Sequence, residues 1–504
     1  MADQRRAGAL LSYLYIIVNT LTVLVYQKII LATLGESEYG LYQLAASIIN
    51  YMSVMDLGFN NGIVNYTAKY RAVGKDTEMK KLHGMFKVIF YGIGAVAVLI
   101  GIVITLNVET FFGASMTASE IEKSRVIMVV LTANMGLTFA LSIYNAIIVA
   151  YEKFIFVKIL TILRSVLNPL IMIPLLWLGG DSITMVVVLS GVNVFCLMLN
   201  LFYSRVKLKI KVKFCGFDKA VFGEIFSYSI FVFLAEIVDK INWSVDQIIL
   251  GVVKGTREVA VYSVAATYNQ LVTALSGCIS SVMLPGISAM VARKESDERT
   301  NVLFIKSCRI QVYTIFLVFC GFALVGRNFV LWHAGEECSA AYYIALLLMG
   351  GALIPITQSV ALTIIKAKDK FRFRAILLLF MSIANVGISI PLAMLFGGIG
   401  SAMGTAITLL VANVLIINIY YHKKCGIDMV SYWKVFLGMI ARLAPPAVLV
   451  AVIKVLFPLS EMADVLVYGA IFVCLYCICA YFFVMNTFER DLVKKYLRKV
   501  VRLK

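Results

Sequence analysis

Charge is scarce in this chain. Of its 504 residues, 15% are Asp, Glu, Lys or Arg, against about 25% in an ordinary soluble domain. With 61% apolar residues, too few polar side chains remain to coat a soluble body of this length, which excludes a soluble enzyme and a disordered chain. Histidine is scarcer still. His83, His333 and His422 are the only three, they fall in separate loops, and they leave no histidine cluster to hold a metal. The 10 cysteines are scattered through apolar runs, so a disulfide-rich module is excluded too. Cys474 and Cys477 have metal-motif spacing but no second pair and no nearby histidine, and read as small packing residues. No GxxxxGK[ST] loop and no Ser–His–Asp arrangement occurs. No catalytic residue, metal or cofactor is expected.

What the chain does have is apolar length. Its mean hydropathy is +0.91. Apolar segments fall near 8–31, 38–64, 85–107, 124–150, 154–178, 183–203, 222–253, 259–290, 302–326, 339–365, 374–396, 398–421, 431–457 and 463–487. At about 20 residues per transmembrane helix, they predict an all-α polytopic membrane protein with 14 spans. The apolar run after Arg5 and Arg6 is too long for a signal-peptide core and reads as a retained first span. With the N-terminus in the cytoplasm, the inner loops and their flanks hold 34 Lys and Arg and the outer ones 5. That asymmetry supports an even span count with both termini inside. It also accounts for the net charge of +18 without nucleic acid. The clusters at 205–213 and 494–504 read as topogenic, with a secondary role against anionic membrane lipid.

The sequence repeats. Residues 25–46 and 245–266 align without a gap, and Val25/Val245, Gln27/Gln247, Ile29/Ile249, Gly35/Gly255, Glu38/Glu258, Tyr42/Tyr262, Ala45/Ala265 and Ala46/Ala266 are identical. The offset equals six spans, so both copies enter the membrane in the same direction. This predicts two pseudo-symmetric six-helix lobes, 1–215 and 216–425, then two additional C-terminal helices (426–487) and a basic cytoplasmic tail (488–504). Transporters built from repeats place the substrate between the halves.

The densest intramembrane charge lies in the seventh segment. Glu236, Asp239, Lys240, Trp243, Asp246 and Gln247 recur at steps of three and four, which places them on one helix face. Charges in lipid face a bundle interior or water, so this stripe is expected to line a cavity; mutual neutralisation, as between Glu236 and Lys240, is the packing alternative. The repeat sets Asn19, Thr20, Tyr26 and Gln27 opposite Asp239, Lys240, Asp246 and Gln247. Arg164 and Arg309 lie deep enough in their spans to need a partner or water. A guanidinium suits a diphosphate because it pairs bidentately with phosphate oxygens. The candidate substrate-binding set is therefore Asn19, Gln27, Arg164, Glu236, Asp239, Lys240, Asp246, Gln247 and Arg309, and the candidates for ion coupling are Asp56, Asp239 and Asp246.

The stretch LGESEYGLYQLAASIINYMSVMDLGFNNGIVNYTAKYRA (34–72) resembles the opening of bacterial polysaccharide exporters. These lipid-linked oligosaccharide flippases share a superfamily with multidrug extruders. The likeness rests on Gly35, Tyr39-Gly40-Leu41-Tyr42, Asp56-Leu57-Gly58 and Ala68-Lys69-Tyr70-Arg71. Residues 246–268 resemble the start of that family's second half. The resemblance implies translocation of an undecaprenyl-diphosphate-linked oligosaccharide across the bacterial cytoplasmic (inner) membrane. It also implies a cationic cavity, and a polymerase and glycosyltransferases of the same pathway as partners. Where relatives often carry an arginine, this chain has Asn65. A multidrug or cation extruder is the alternative from the same superfamily. A membrane glycosyltransferase or polymerase would need a larger outer loop than the 16 or so residues near 108–123.

Overall fold

The computed structural model describes residues 2–210, 212, 214, 216–292, 297–368, 370, 372–459, 461–487, 489–491 and 494. Side chains in 2–14, at 278–289 and at several positions of 228–243 fall outside that description. Glu236 and Asp239 are among these, as is most of the basic tail expected at 488–504.

Hydrocarbon offers no hydrogen bonds, so a spanning chain must pair its backbone internally; these apolar runs accordingly form helices. In order they are α1 (Ala2–Met52), α2 (Phe59–Val73), α3 (Asp76–Leu106), α4 (Val108–Phe112), α5 (Ala118–Ala150), α6 (Phe154–Trp177), α7 (Ser182–Phe202), α8 (Lys219–Val253) and α9 (Thr256–Ala292). There follow α10 (Asp297–Ala334), α11 (Ala341–Thr357), α12 (Ser359–Ala367), α13 (Arg372–Leu410), α14 (Asn418–Cys425), α15 (Met429–Leu443), α16 (Pro445–Leu456) and α17 (Glu461–Cys479). Among the described residues there is no strand, and 10 helical runs are long and apolar enough to cross a membrane. Two of these contain reversals. α1 breaks at Gly35 (φ 78°, ψ 178°) and α13 at Gly397 (φ 59°, ψ −139°). The arrangement is that of an all-α polytopic membrane protein and is compatible with the 14 expected segments.

Some expected spans are less continuous than their hydropathy suggests. The second (38–64) is interrupted by a 3-10 turn at Ser53–Asp56 and by Leu57 and Gly58 at positive φ. The thirteenth (431–457) divides at Ala444, where Pro445, lacking an N–H, opens α16. Elsewhere polar residues set the starts. Thr117 and Glu120 form a capping box on α5, Asp181 and Thr184 form one on α7, and Asp428 caps α15 through the N–H groups of Val430 and Ser431.

The chain divides into two compact units, Met1–Val264 with Leu378–Gly404, and Ala265–Leu377 with Thr405–Lys504. Their boundaries fall inside α9 and α13, whereas the lobes expected from the repeat change over near 215. In the first unit α3 packs on α5, α1 on α6, and α5 on α7. Its core includes an aromatic cluster of Phe59, Phe86, Phe90, Phe139 and Tyr144, each at most 5% exposed. In the second, α10 packs against α11, α15 and α17.

Candidate functional site

The two copies of the repeat keep the same local design. Gly35 and Gly255 both hold φ in the left-handed region, at 78° and 86°, where a side chain would be strained. Three residues later each copy places a glutamate at the start of another helix. Glu38 accepts from the Ser182 backbone N–H (3.2 Å) and hydroxyl at the start of α7, and from Lys123. Glu258 accepts from the Gly398 N–H (2.8 Å), just past the break in α13. A carboxylate suits both places because a helix N-terminus carries unpaired N–H groups and partial positive charge.

The copies also touch one another within the first unit. Arg257 Nε donates to Glu36 (2.8 Å), while Ser37 and Thr256 both donate to Glu120 Oε1 at 2.5 and 2.6 Å. A Cβ on Gly40 would stand 1.8 Å from the Thr256 carbonyl oxygen, so only glycine permits this approach.

The charged stripe expected on the seventh segment lies on α8. Asp246 is fully buried and accepts from the hydroxyls of Tyr262 (2.5 Å) and Ser401 (2.6 Å). It thus stands in helix packing rather than on an open cavity wall, because two hydroxyls on neighbouring helices satisfy it. Gln247 donates to Ser263 (3.0 Å) and Lys240 reaches Asn50 at 3.4 Å. The side chains of Glu236 and Asp239 lie outside the described residues. On α1, Asn19 accepts from Ser165 (2.9 Å), and Gln27, 3% exposed, donates to Tyr39 (2.9 Å). Asp56 accepts from Asn60 at 3.1 Å.

The two candidate arginines separate. Arg309 is closed in by a bidentate pair with Glu489 (2.6 and 2.7 Å), and also donates to the Val484 carbonyl (2.8 Å) and to Tyr313 (3.0 Å). These contacts fix the end of the last span to α10. Glu489 lies beyond that span, and its carboxyl is held below the usual range. Burial pushes it upward, but hydrogen bonds from Arg309 and from the Asn486 N–H outweigh that. Arg164 is exposed and, among the described residues, has no carboxylate partner. It faces a cleft of about 310 Å³ enclosed by α2, α5, α6 and α7.

This cleft holds a set of groups that single-residue reasoning missed. Asn60, Asn145, Asn193 and Asn200 line it with Thr138, Ser142 and Thr161. Asn193 bridges Asn134 (2.8 Å) and Thr138 (2.9 Å). Asn60 Oδ1 and Asn200 Oδ1 are buried without a protein partner, and a buried acceptor left over calls for a ligand or water. The signal existed in the sequence as asparagines scattered over three helices, but nothing in their spacing joined them. Chemically, amides and hydroxyls around one guanidinium suit a polyhydroxylated, anionic molecule. Among the described residues no group of His, Cys, Asp and Glu could hold a metal, and Cys474 and Cys477 are exposed.

Apolar membrane-capable helices that carry internally satisfied polar groups and a polar cleft define a multi-span membrane protein. Comparison with known proteins agrees. Residues 6–291 match the model of the polysaccharide biosynthesis protein family, and the chain belongs to that family. It is 21% identical to a Shigella flexneri protein named "Putative O-antigen transporter", over 78% of this chain and 92% of that one. Among solved structures it resembles the lipid II flippase MurJ in an inward closed conformation (TM-score 0.72, 15% identity, 96% of this chain and 99% of the other). It also resembles an inward-facing multidrug resistance MATE family transporter (TM-score 0.66, 14% identity, 81% and 96%). The fold is thus shared with a solved lipid II flippase and a solved multidrug transporter.

Proposed function

We propose that the protein flips a lipid-linked oligosaccharide, carried on undecaprenyl diphosphate, across the bacterial cytoplasmic membrane for surface polysaccharide synthesis such as O-antigen, capsule or exopolysaccharide. The observation that carries the reading is the cleft around Arg164. It presents hydrogen-bonding groups of the kind sugars use, with one cation for a phosphate or acidic substituent, inside a member of a polysaccharide biosynthesis family. The lipid tail stays in the bilayer while the headgroup crosses, and glycosyltransferases and a polymerase of the pathway supply and consume the cargo. The excess of Lys and Arg in alternate loops supports cytoplasmic termini.

Alternating access is the mechanism we favour, with two pseudo-symmetric lobes and the two C-terminal helices as its parts. Such rocking breaks contacts at one end of the bundle and forms others. The pairs between the repeat copies, Glu36–Arg257 and Ser37–Glu120–Thr256, are suited to this because they are short polar links rather than an apolar seam. Ion coupling falls to Asp56, Asp239 or Asp246. For Asp246 the support is its burial between two hydroxyls, where protonation removes one acceptor position and loosens the link to Tyr262 or Ser401. Asp246→Asn is expected to abolish transport while leaving membrane insertion intact; normal transport by this variant removes Asp246 from the mechanism.

The test of the function is the sidedness of the lipid-linked oligosaccharide. Cells lacking the protein are expected to accumulate it facing the cytoplasm, and normal outward levels in such cells overturn the reading. The likeness to a multidrug transporter favours drug extrusion as a second reading. It predicts raised dye and drug resistance on expression, which the flippase reading does not.

A further inference from the structure

The hydrogen bonds around Arg164 run in one sense. Each hydroxyl of the cleft has already given away its one hydrogen, Thr138 to the Asn134 carbonyl (2.8 Å), Ser142 to that of Phe139 (2.9 Å) and Thr161 to that of Val157 (2.8 Å). A hydroxyl so used can only accept from a ligand. Two of the amides are turned the same way. Asn60 Nδ2 donates to the Asp56 carboxylate (3.1 Å), and a carboxylate only accepts, so this amide cannot be reversed. Asn193 Nδ2 is divided between Asn134 Oδ1 (2.8 Å) and the Thr138 oxygen (2.9 Å), whose hydrogen is spent. Asn60 and Asn193 therefore have their carbonyl oxygens left to offer. Asn200, 5% exposed, adds a third, since its Oδ1 is buried and, like that of Asn60, has no partner among the described residues. The donors left open are the Arg164 guanidinium and the amides of Asn145 and Asn200.

Acceptors thus crowd the wall, and one cation stands among them. A diphosphate has oxygen acceptors and no donor at neutral pH. Against this wall it would set lone pair against lone pair almost everywhere but at Arg164. A cation would suit the carbonyl oxygens but meets the guanidinium. A sugar unit brings hydroxyl hydrogens, and one with a carboxyl group also brings an anion that a guanidinium binds bidentately. Size agrees. About 310 Å³ is near the low end of the about 300–1,000 Å³ usual for small-molecule sites, which suits one sugar unit rather than a chain of them. We infer that the cleft receives an acidic sugar unit of the cargo and not its diphosphate, with the carboxylate on Arg164 and hydroxyl hydrogens given to Asn60, Asn193 and Asn200. This rests on the flippase reading for the source of the sugar, and it makes the three asparagines specificity residues.

The test is a saturation-transfer NMR titration of the full-length protein in phosphatidylcholine nanodiscs. The probes are the methyl glycosides of glucuronic, galacturonic and mannuronic acid, their analogues with fluorine in place of one hydroxyl, and inorganic pyrophosphate. Fluorine removes the hydrogen at nearly constant size. At least one parent glycoside is expected to bind, and replacing a hydroxyl that faces one of these oxygens should weaken it about fivefold, the equivalent of about 1 kcal/mol per hydrogen bond. Asn60→Leu and Asn200→Leu should each weaken the parent sugar about fivefold and become indifferent to one fluorine replacement that matters to the unaltered protein. Asn200→Leu removes no protein contact, so its fold is expected to hold. Arg164→Gln should weaken parent and fluorinated sugars alike, by at least about tenfold. Pyrophosphate at equal concentration should leave the sugar in place. Binding by none of the three glycosides overturns the inference, as does indifference to every fluorine replacement, an unchanged fluorine pattern in both leucine variants, or displacement by pyrophosphate. None of these results touches the flippase reading, which stands or falls on the sidedness of the lipid-linked oligosaccharide in cells.

Discussion

Arg164 and Arg309 look alike as sequence, each a cation within a long apolar run, yet the fold uses them in opposite ways. Arg309 is bound on several sides by Glu489, Tyr313 and a main-chain carbonyl, with both ionic side chains 15% exposed. Its charge is consumed in holding two helices together. Arg164 has no such partner among the described residues and faces amides and hydroxyls, so its charge is available to something that enters. The cost of a cation in a membrane is met by an internal carboxylate in one place and by a polar cleft in the other. Only the second arrangement can serve a ligand.

Substitutions that remove one charge at a time should widen this contrast. The largest effect on stability is expected from Arg309→Ala. Stripping one partner from a largely buried pair costs about 3–5 kcal/mol, and Arg309→Ala with Glu489→Ala should cost less than the two singles summed, as thermal unfolding in detergent can measure. The same pair sets an acid limb. The native carboxyl of Glu489 is held low by Arg309 against the upward push of burial. Its contribution is therefore complete above the ordinary glutamate value of about 4.3 and fades as the pH falls below it. Glu489→Gln should flatten the loss of stability in that acid range.

A smaller effect separates the repeat copies. Glu38 receives three hydrogen bonds, one of them charged on both sides, and Glu258 receives one from Gly398. At about 1.5–3 kcal/mol for a hydrogen bond to a charged group, Glu38→Gln should destabilise more than Glu258→Gln; equal losses would mean the copies are energetically alike. Next comes Asp428→Ala, which removes the cap of α15 and should cost about 1 kcal/mol. The hydroxyl and N–H of Ser431 hold the Asp428 carboxyl below its usual range, so this loss too should vanish in acid. At the far end of the scale, Arg164→Ala should shift stability by no more than about 0.5 kcal/mol. Translocation should nevertheless fall at least about tenfold, equivalent to some 1.4 kcal/mol of lost interaction. A variant that transports normally would return Arg164 to the surface.

Much of the architecture was legible without coordinates because apolar length and helix formation are coupled in a bilayer. Each expected span meets helix, and the breaks at Gly35, Gly397 and Pro445 fall at residues that announce themselves. The repeat was legible as identities, and the shared backbone at Gly35 and Gly255 and the shared carboxylate contacts at Glu38 and Glu258 give those identities a physical cause. The candidate site was legible only in part. Asp246 was found as a buried charge but expected on a cavity wall, since helical periodicity tells which face a residue occupies and not what packs against that face. The asparagines of the cleft escaped notice because a neutral amide in an apolar helix looks like an isolated polar residue until its neighbours from other helices are known.

The amino-acid sequence alone determined that this chain crosses a membrane many times and that residues 25–46 recur at 245–266. Those properties depend on local composition and on order along the chain. The tertiary structure alone decided which arginine is spent on a carboxylate, which aspartate is sealed between hydroxyls, and which amides meet around a cleft. These depend on contacts between helices far apart in sequence, and burial and partnership exist only once those helices have packed.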